Sequence, residues 1–173
     1  MKAQNIILIG PMGSGKSTIG NILAKKLGRE FQDSDHFIEN RTGVDIARIF
    51  DIEGESGFRD RESNALKDLL SQNNQVVATG GGSVMRKKNQ ALLRSKGYII
   101  FLDTTVNQQM QRLRRDKKRP LLQTDNPRER LEALLNARRP IYLDLADLAV
   151  KTDRKQARRL ASEIINQLPD HLL

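Results

Sequence analysis

Residues 10–17 read Gly-Pro-Met-Gly-Ser-Gly-Lys-Ser, a fit to G-x-x-x-x-G-K-[ST] with Gly10, Gly15, Lys16 and Ser17 at the fixed positions. The flanks suit it. Residues 5–10 (NIILIG) form an apolar run that predicts a buried strand, and residues 16–27 place Ile19, Ile22, Leu23 and Leu27 on one helical face. Strand, glycine loop and helix in that order aim the loop N–H groups and the helix N-terminus at one anion. The expected nucleotide contacts are therefore Gly13, Ser14, Gly15, Lys16, Ser17 and Thr18. Lys16 would reach the β- and γ-phosphates of ATP, and the Ser17 hydroxyl would ligate the Mg2+ that bridges them. The alternative, a glycine-rich turn with a chance lysine, leaves the placing of strand and helix unexplained.

Further strand-like runs follow at 75–79 (QVVAT), 98–102 (YIIFL) and 148–152. Helical patterns occupy 45–50, 54–70, a stretch from about 86, another from about 106, and 128–135. Ala157, Leu160, Ala161, Ile164, Ile165 and Leu168 make a closing helical stripe. The alternation predicts an α/β fold whose mostly parallel central sheet, of about five strands, is covered by helices on both faces. With 173 residues, no internal repeat and no linker, residues 1–173 are expected to form a single domain.

A hydrophobic share of 38% and a charged share of 29% describe an ordinary soluble chain rather than a disordered or fibrous one. No window approaches the roughly 20 apolar residues of a membrane span, and the N-terminus does not read as a secretory signal. A cytoplasmic protein with no membrane contact is expected. The absence of cysteine excludes disulfides and thiolate chemistry. Of the net charge of +9, five charges come from residues 112–119 (RLRRDKKR). A basic segment so concentrated suits a loop that closes over phosphates. A nucleic-acid-binding module is the rival from another class, but no recognition helix or aromatic-basic stripe accompanies the charge. No apolar stripe is left over once the helices are packed, so a monomer is expected.

Asp33-Ser34-Asp35 stands where a second strand would end near the phosphates. Two carboxylates two residues apart can divide roles, Asp33 steadying the metal and Asp35 accepting a hydrogen bond from the hydroxyl to be phosphorylated. A solvated acidic turn, or a helix cap at Ser34, is the plainer reading. Asp103, at the end of YIIFLD, competes with Asp33 for the metal and would also make a helix cap. Gly80, Gly81 and Gly82 form a backbone wall that a ring-shaped substrate can approach closely. Arg59 and Arg138 could clamp a carboxylate from two sides, although a single arginine is more often a solvated one. Arg119 could swing in to neutralise charge on the transferring phosphoryl group.

GPMGSGKST, the DSD at 33–35, GFRDRE around Arg59, TGGGSV at 79–84, RDKKRPLL ending at Leu122 and ARRPIY around Arg138 together resemble the shikimate kinase family, in the family's order from residue 10 to about 142. The resemblance implies a nucleoside-monophosphate-kinase-like three-layer fold. It also implies transfer of the ATP γ-phosphate to the 3-hydroxyl of shikimate, a step toward chorismate and the aromatic amino acids. It carries over Asp35, Arg59, Gly81 and Arg138 as shikimate contacts, Lys16 and Arg119 as phosphate contacts, and Ser17 and Asp33 as the magnesium positions. Arg138 is chosen over Arg139 because it stands two residues before Pro140. The resemblance further implies a substrate-binding region at about 34–62, a mobile lid at about 112–125 with Arg112 beside the adenine, and an adenine-side position at Lys155. The nearest rivals, a gluconate kinase or a nucleoside monophosphate kinase, are disfavoured by the arginine pair and the triple glycine.

Overall fold

The computed structural model describes residues 4–114, 122–153 and 155–173. The apolar run before the glycine loop becomes β1 (Asn5–Ile9), and every residue of it is buried. Ile6 and Leu8 enter one apolar cluster and Ile7 and Ile9 another. That is the period-two alternation of a strand with both faces covered. The other strands are β2 (Glu30–Asp33), β3 (Gln75–Ala78), β4 (Gly97–Asp103) and β5 (Leu148–Lys151). All pairings are parallel and the order is β2-β3-β1-β4-β5. The chain therefore leaves β1 for one side of the sheet and later returns to the other. Ligands bind at such a switch point, off the carboxyl ends of the strands.

Helices α1 (Lys16–Leu27) and α7 (Ala157–Ile165) cover the first face through Ile19, Leu23, Leu160 and Ile164. Helices α3 (Ile46–Leu69), α4 (Lys87–Lys96) and α6 (Pro127–Leu145) cover the second through Leu69, Leu93, Tyr142 and Leu145. The three-layer parallel architecture expected from the alternation is present. Each fully buried aliphatic side chain contributes about 1.5–3 kcal/mol, so the alternation along β1 also fixes which layer lies on which side. No helix among the described residues is long and apolar enough to cross a membrane.

Two elements differ from the sequence reading. Helix α2 (Ser34–Thr42) was not expected, because it buries only Ser34 and Ile38 and so offers little periodicity. Helix α5 (Val106–Leu113) runs into the start of the basic segment, as expected. Helix α6 continues ten residues beyond the expected end, through Pro140. A proline interrupts the helical ladder, but the buried face formed by Arg138, Tyr142 and Leu145 keeps that stretch packed.

The two helical segments expected at 45–50 and 54–70 are present within α3, broken at Gly54 with φ 69° and ψ −178°. Phe50 and Phe58 meet across the break with ring centroids 4.8 Å apart. Arg61 grips Glu53 with two hydrogen bonds of 2.8 and 2.6 Å. Only glycine adopts the Gly54 backbone conformation readily, and a Cβ there would meet nothing within 4 Å. Gly54→Ala should therefore cost about 1–3 kcal/mol through the backbone alone. Urea unfolding of parent and variant measures this, and equal midpoints would contradict it.

Candidate active site

The loop between β1 and α1 wraps round the Lys16 side chain, whose ammonium donates to the carbonyls of Gly10 at 2.7 Å and Pro11 at 2.9 Å. Helix α5 braces the same loop. Buried Gln109 donates to the Met12 carbonyl at 2.9 Å, and Arg112 donates to the Gly13 carbonyl at 2.8 Å. Met12, Gly13, Lys16, Ser17, Asp33 and Arg112 border a groove of about 330 Å³.

Beside the groove lies a second cavity of about 450 Å³, floored by the glycine run and walled by α2 and α3. Met12, Asp33, Asp35, Gly80 and Gly81 line both cavities. A group in one is thus separated from a group in the other only by these residues, and Asp35 stands at the junction. Ile46, Phe50 and Phe58 give the larger cavity an apolar side, while Arg59, Glu62 and Arg138 give it a charged one.

Asp33 has two tasks. One carboxylate oxygen caps α2 by accepting from the N–H groups of Asp35 at 3.0 Å and His36 at 3.2 Å, and the other accepts from the Ser17 hydroxyl at 2.7 Å. The helix cap is therefore real, but Asp33 makes it rather than Ser34, whose hydroxyl instead accepts from the Gly80 N–H at 3.0 Å. Asp103 is engaged elsewhere, taking two hydrogen bonds from Arg139 at 3.3 and 2.9 Å, and Thr105 caps α5 in its place. This pairing separates the adjacent arginines. Arg139 lies at the surface on Asp103, while Arg138, only 5% exposed, turns into the cavity.

Arg59 is buried as well, donating to Glu62 at 2.8 Å and to Glu55 at 3.3 Å. Burial opposes its charge, but the two glutamates outweigh it and raise the guanidinium pKa further. Glu62 is 1% exposed, and burial pushes its carboxyl up from the ordinary value against the opposing pull of Arg59. The Asp35 charge adds to the rise and Arg138 subtracts from it, so the four groups share one electrostatic environment.

The glycine run fits closely against these side chains. A Cβ on Gly80 would stand 2.5 Å from Glu62 Oε1 and 3.1 Å from Asp35 Oδ1, and one on Gly82 would overlap the Arg59 guanidinium. Residues 80 and 82 must therefore lack a side chain for the charged groups to reach the floor.

Lys155 pairs with Glu163 of α7 at 2.6 Å, in a partly exposed ion pair. Arg119, with the rest of residues 115–121 of the proposed lid, lies outside the described residues, as does Arg154. The sequence reading overlooked Glu62 and Tyr142. Both carried a signal, since Glu62 follows Arg59 by three residues and Tyr142 follows Arg138 by four, the spacings that share a helix face.

A family model described as shikimate kinase matches residues 12–169. The chain is 52% identical over 170 residues to a shikimate kinase of Vibrio cholerae serotype O1, covering 98% of each chain. It is 54% identical over 169 residues to one of Actinobacillus pleuropneumoniae serotype 5b, covering 98% of this chain and 97% of the relative. The structure of shikimate kinase from Acinetobacter baumannii in complex with shikimate superposes with a TM-score of 0.93 at 47% identity, covering 96% of each chain. That from Aquifex aeolicus gives 0.82 at 36%, covering 94% of each.

Proposed function

The chain belongs to the shikimate kinase family, ATP-dependent kinases that phosphorylate the 3-hydroxyl of shikimate, and we propose that the two adjoining cavities divide donor and acceptor between them. The groove at the glycine loop takes the nucleotide, and the larger cavity takes shikimate. One observation carries this division: five residues line both cavities, so that bound reactants would face each other across Asp35.

Arg59 and Arg138, both buried and both lining the acceptor cavity, hold the shikimate carboxylate. Gly80, Gly81 and Gly82 let the ring lie against backbone. Asp35 accepts the proton of the 3-hydroxyl as its oxygen forms a bond to the γ-phosphorus and the bond from that phosphorus to the β-phosphate oxygen breaks, releasing ADP. Lys16 and the loop N–H groups hold the phosphates in line, and Arg112 and Lys155 serve the nucleotide side. Arg119 is retained as a phosphate contact on the strength of the sequence motif, and residues 112–125 as the lid that excludes water. Residues 34–62 form the acceptor-binding region of a single domain.

The Ser17 hydroxyl and the Asp33 carboxylate, 2.7 Å apart, are hard oxygen donors of the kind Mg2+ takes. No group of three or more metal-ligating residues occurs among the described residues, which suits an ion held largely by phosphates and water. Bound with ATP, Mg2+ would offset charge on the β- and γ-phosphates. Both substrates are small soluble metabolites, which supports a cytoplasmic setting. The exposed large apolar side chains lie on several different elements, which supports a monomer.

ADP release with MgATP tests the assignment when shikimate, gluconate and nucleoside monophosphates are offered in turn. Stimulation by shikimate alone is expected. Turnover with another acceptor and silence with shikimate would keep the kinase and remove its substrate.

A further inference from the structure

Tyr142 is fully buried beneath the glycine floor, stacked on Phe101 with ring centroids 5.0 Å apart. Its hydroxyl donates to the Gly81 carbonyl at 2.5 Å. The neighbouring carbonyls are held from other directions, Gly80 by the Ser83 N–H and hydroxyl and Gly82 by the Met85 N–H. Tyr142 is thus the side chain that fixes the middle peptide of the run. Because that peptide is trans and planar, the Gly82 N–H points to the opposite side from the phenol. The phenol lies on the core side, whereas Gly82 borders the acceptor cavity. The Gly82 N–H has no acceptor among the described residues.

We propose that Tyr142 is a positioning residue for the acceptor, its hydroxyl holding the Gly81–Gly82 peptide so that the Gly82 N–H is presented to a shikimate oxygen. The inference rests on the assignment of the larger cavity to shikimate. A phenol serves here because only a neutral hydroxyl can donate to the carbonyl. Burial pushes its pKa up to about 12, the nearby Arg138 charge working against the rise, so the proton stays on through the physiological range. The placing follows from α6, which sets Arg138 and Tyr142 on one buried face a helical turn apart. One face of one helix thereby supplies both a carboxylate ligand and the support of the floor.

Tyr142→Phe keeps the ring and removes the donor. The expected result is a rise of about tenfold in KM for shikimate, the loss of one well-placed hydrogen bond, with KM for ATP unchanged and kcat altered much less. Phe101→Leu disturbs the same apolar cluster without touching the hydroxyl and should lower stability while leaving KM for shikimate alone. Equal KM values in Tyr142→Phe and the parent would overturn the proposal, as would equal rises in the two variants. A fluorine label provides a readout in case Tyr142→Phe does not fold. In a Tyr98→Phe background grown on 3-fluorotyrosine, the signal of residue 142 should shift when shikimate is added without nucleotide. A signal that stays in place while shikimate binds would also overturn the proposal. A parent protein that does not turn over shikimate would instead defeat the substrate assignment, so the two failures are distinguishable.

Discussion

Asp35→Asn should lower kcat by about 10²–10⁴, the usual worth of a positioned general base, while KM for ATP changes little. Asparagine keeps the size of the side chain and can still accept a hydrogen bond, but it cannot take the proton that the attacking hydroxyl must lose. The fold should tolerate the exchange. Asp35 sits in the first turn of α2, where the cap is made by Asp33 and uses only the backbone N–H of residue 35. The residue lines both cavities, so its loss falls on the transfer step rather than on nucleotide binding. Initial-rate kinetics in both substrates measure the effect. Turnover equal to the parent would remove Asp35 from proton transfer.

Glu62→Ala is expected to cost about 3–5 kcal/mol of stability, because it strips a buried guanidinium of its principal partner. Among the described residues, Arg59 would keep Glu55 as its one carboxylate partner, at 3.3 Å and on a half-exposed side chain. The same change should raise KM for shikimate, since Arg59 would no longer be held at the acceptor cavity. Glu62→Gln preserves shape and an acceptor for the 2.8 Å hydrogen bond, so it should lose less on both counts. Chemical denaturation and shikimate kinetics on the two variants provide the comparison. An alanine variant as stable as the parent, with the same KM, would mean that the Arg59–Glu62 pair supports neither fold nor site.

The parts of the site that were legible in the sequence are those whose signal is local. The glycine loop announced itself because its chemistry, the preceding apolar strand and the following amphipathic helix are contiguous. The three glycines at 80–82 were legible as a surface for close approach, but what approaches them from the protein side was not. Glu62 and the Arg59 guanidinium come to them from α3, which precedes β3 in the chain and folds back over its end. Motif spacing chose between the two adjacent arginines, but the physical reason for their different placing was not legible. Their fates differ because Asp103, 36 residues from Arg139, captures one of them and leaves the other to the cavity. That same pairing engages the Asp103 carboxylate with a guanidinium. Glu62 was overlooked in the sequence, and only packing under Gly80 shows it to be 1% exposed. The helical pattern read from the sequence stopped at residue 135, short of Pro140. The buried Arg138, Tyr142 and Leu145 on either side of it continue the helix, because their burial outweighs one interrupted backbone bond.

Glycines at the floor, arginines on the carboxylate side and a carboxylate at the junction form a site suited to one substrate, a small hydroxylated ring acid. On the proposed assignment the hydroxyl that reacts is the one presented to Asp35 and facing the phosphate groove while Arg59 and Arg138 hold the carboxylate. The product of a single turnover, isolated after mixing protein, MgATP and shikimate and analysed by proton and phosphorus magnetic resonance, tests this directly. Phosphorus coupled to the ring proton at carbon 3 is the predicted result, and phosphate on another hydroxyl, or only free inorganic phosphate, would contradict it.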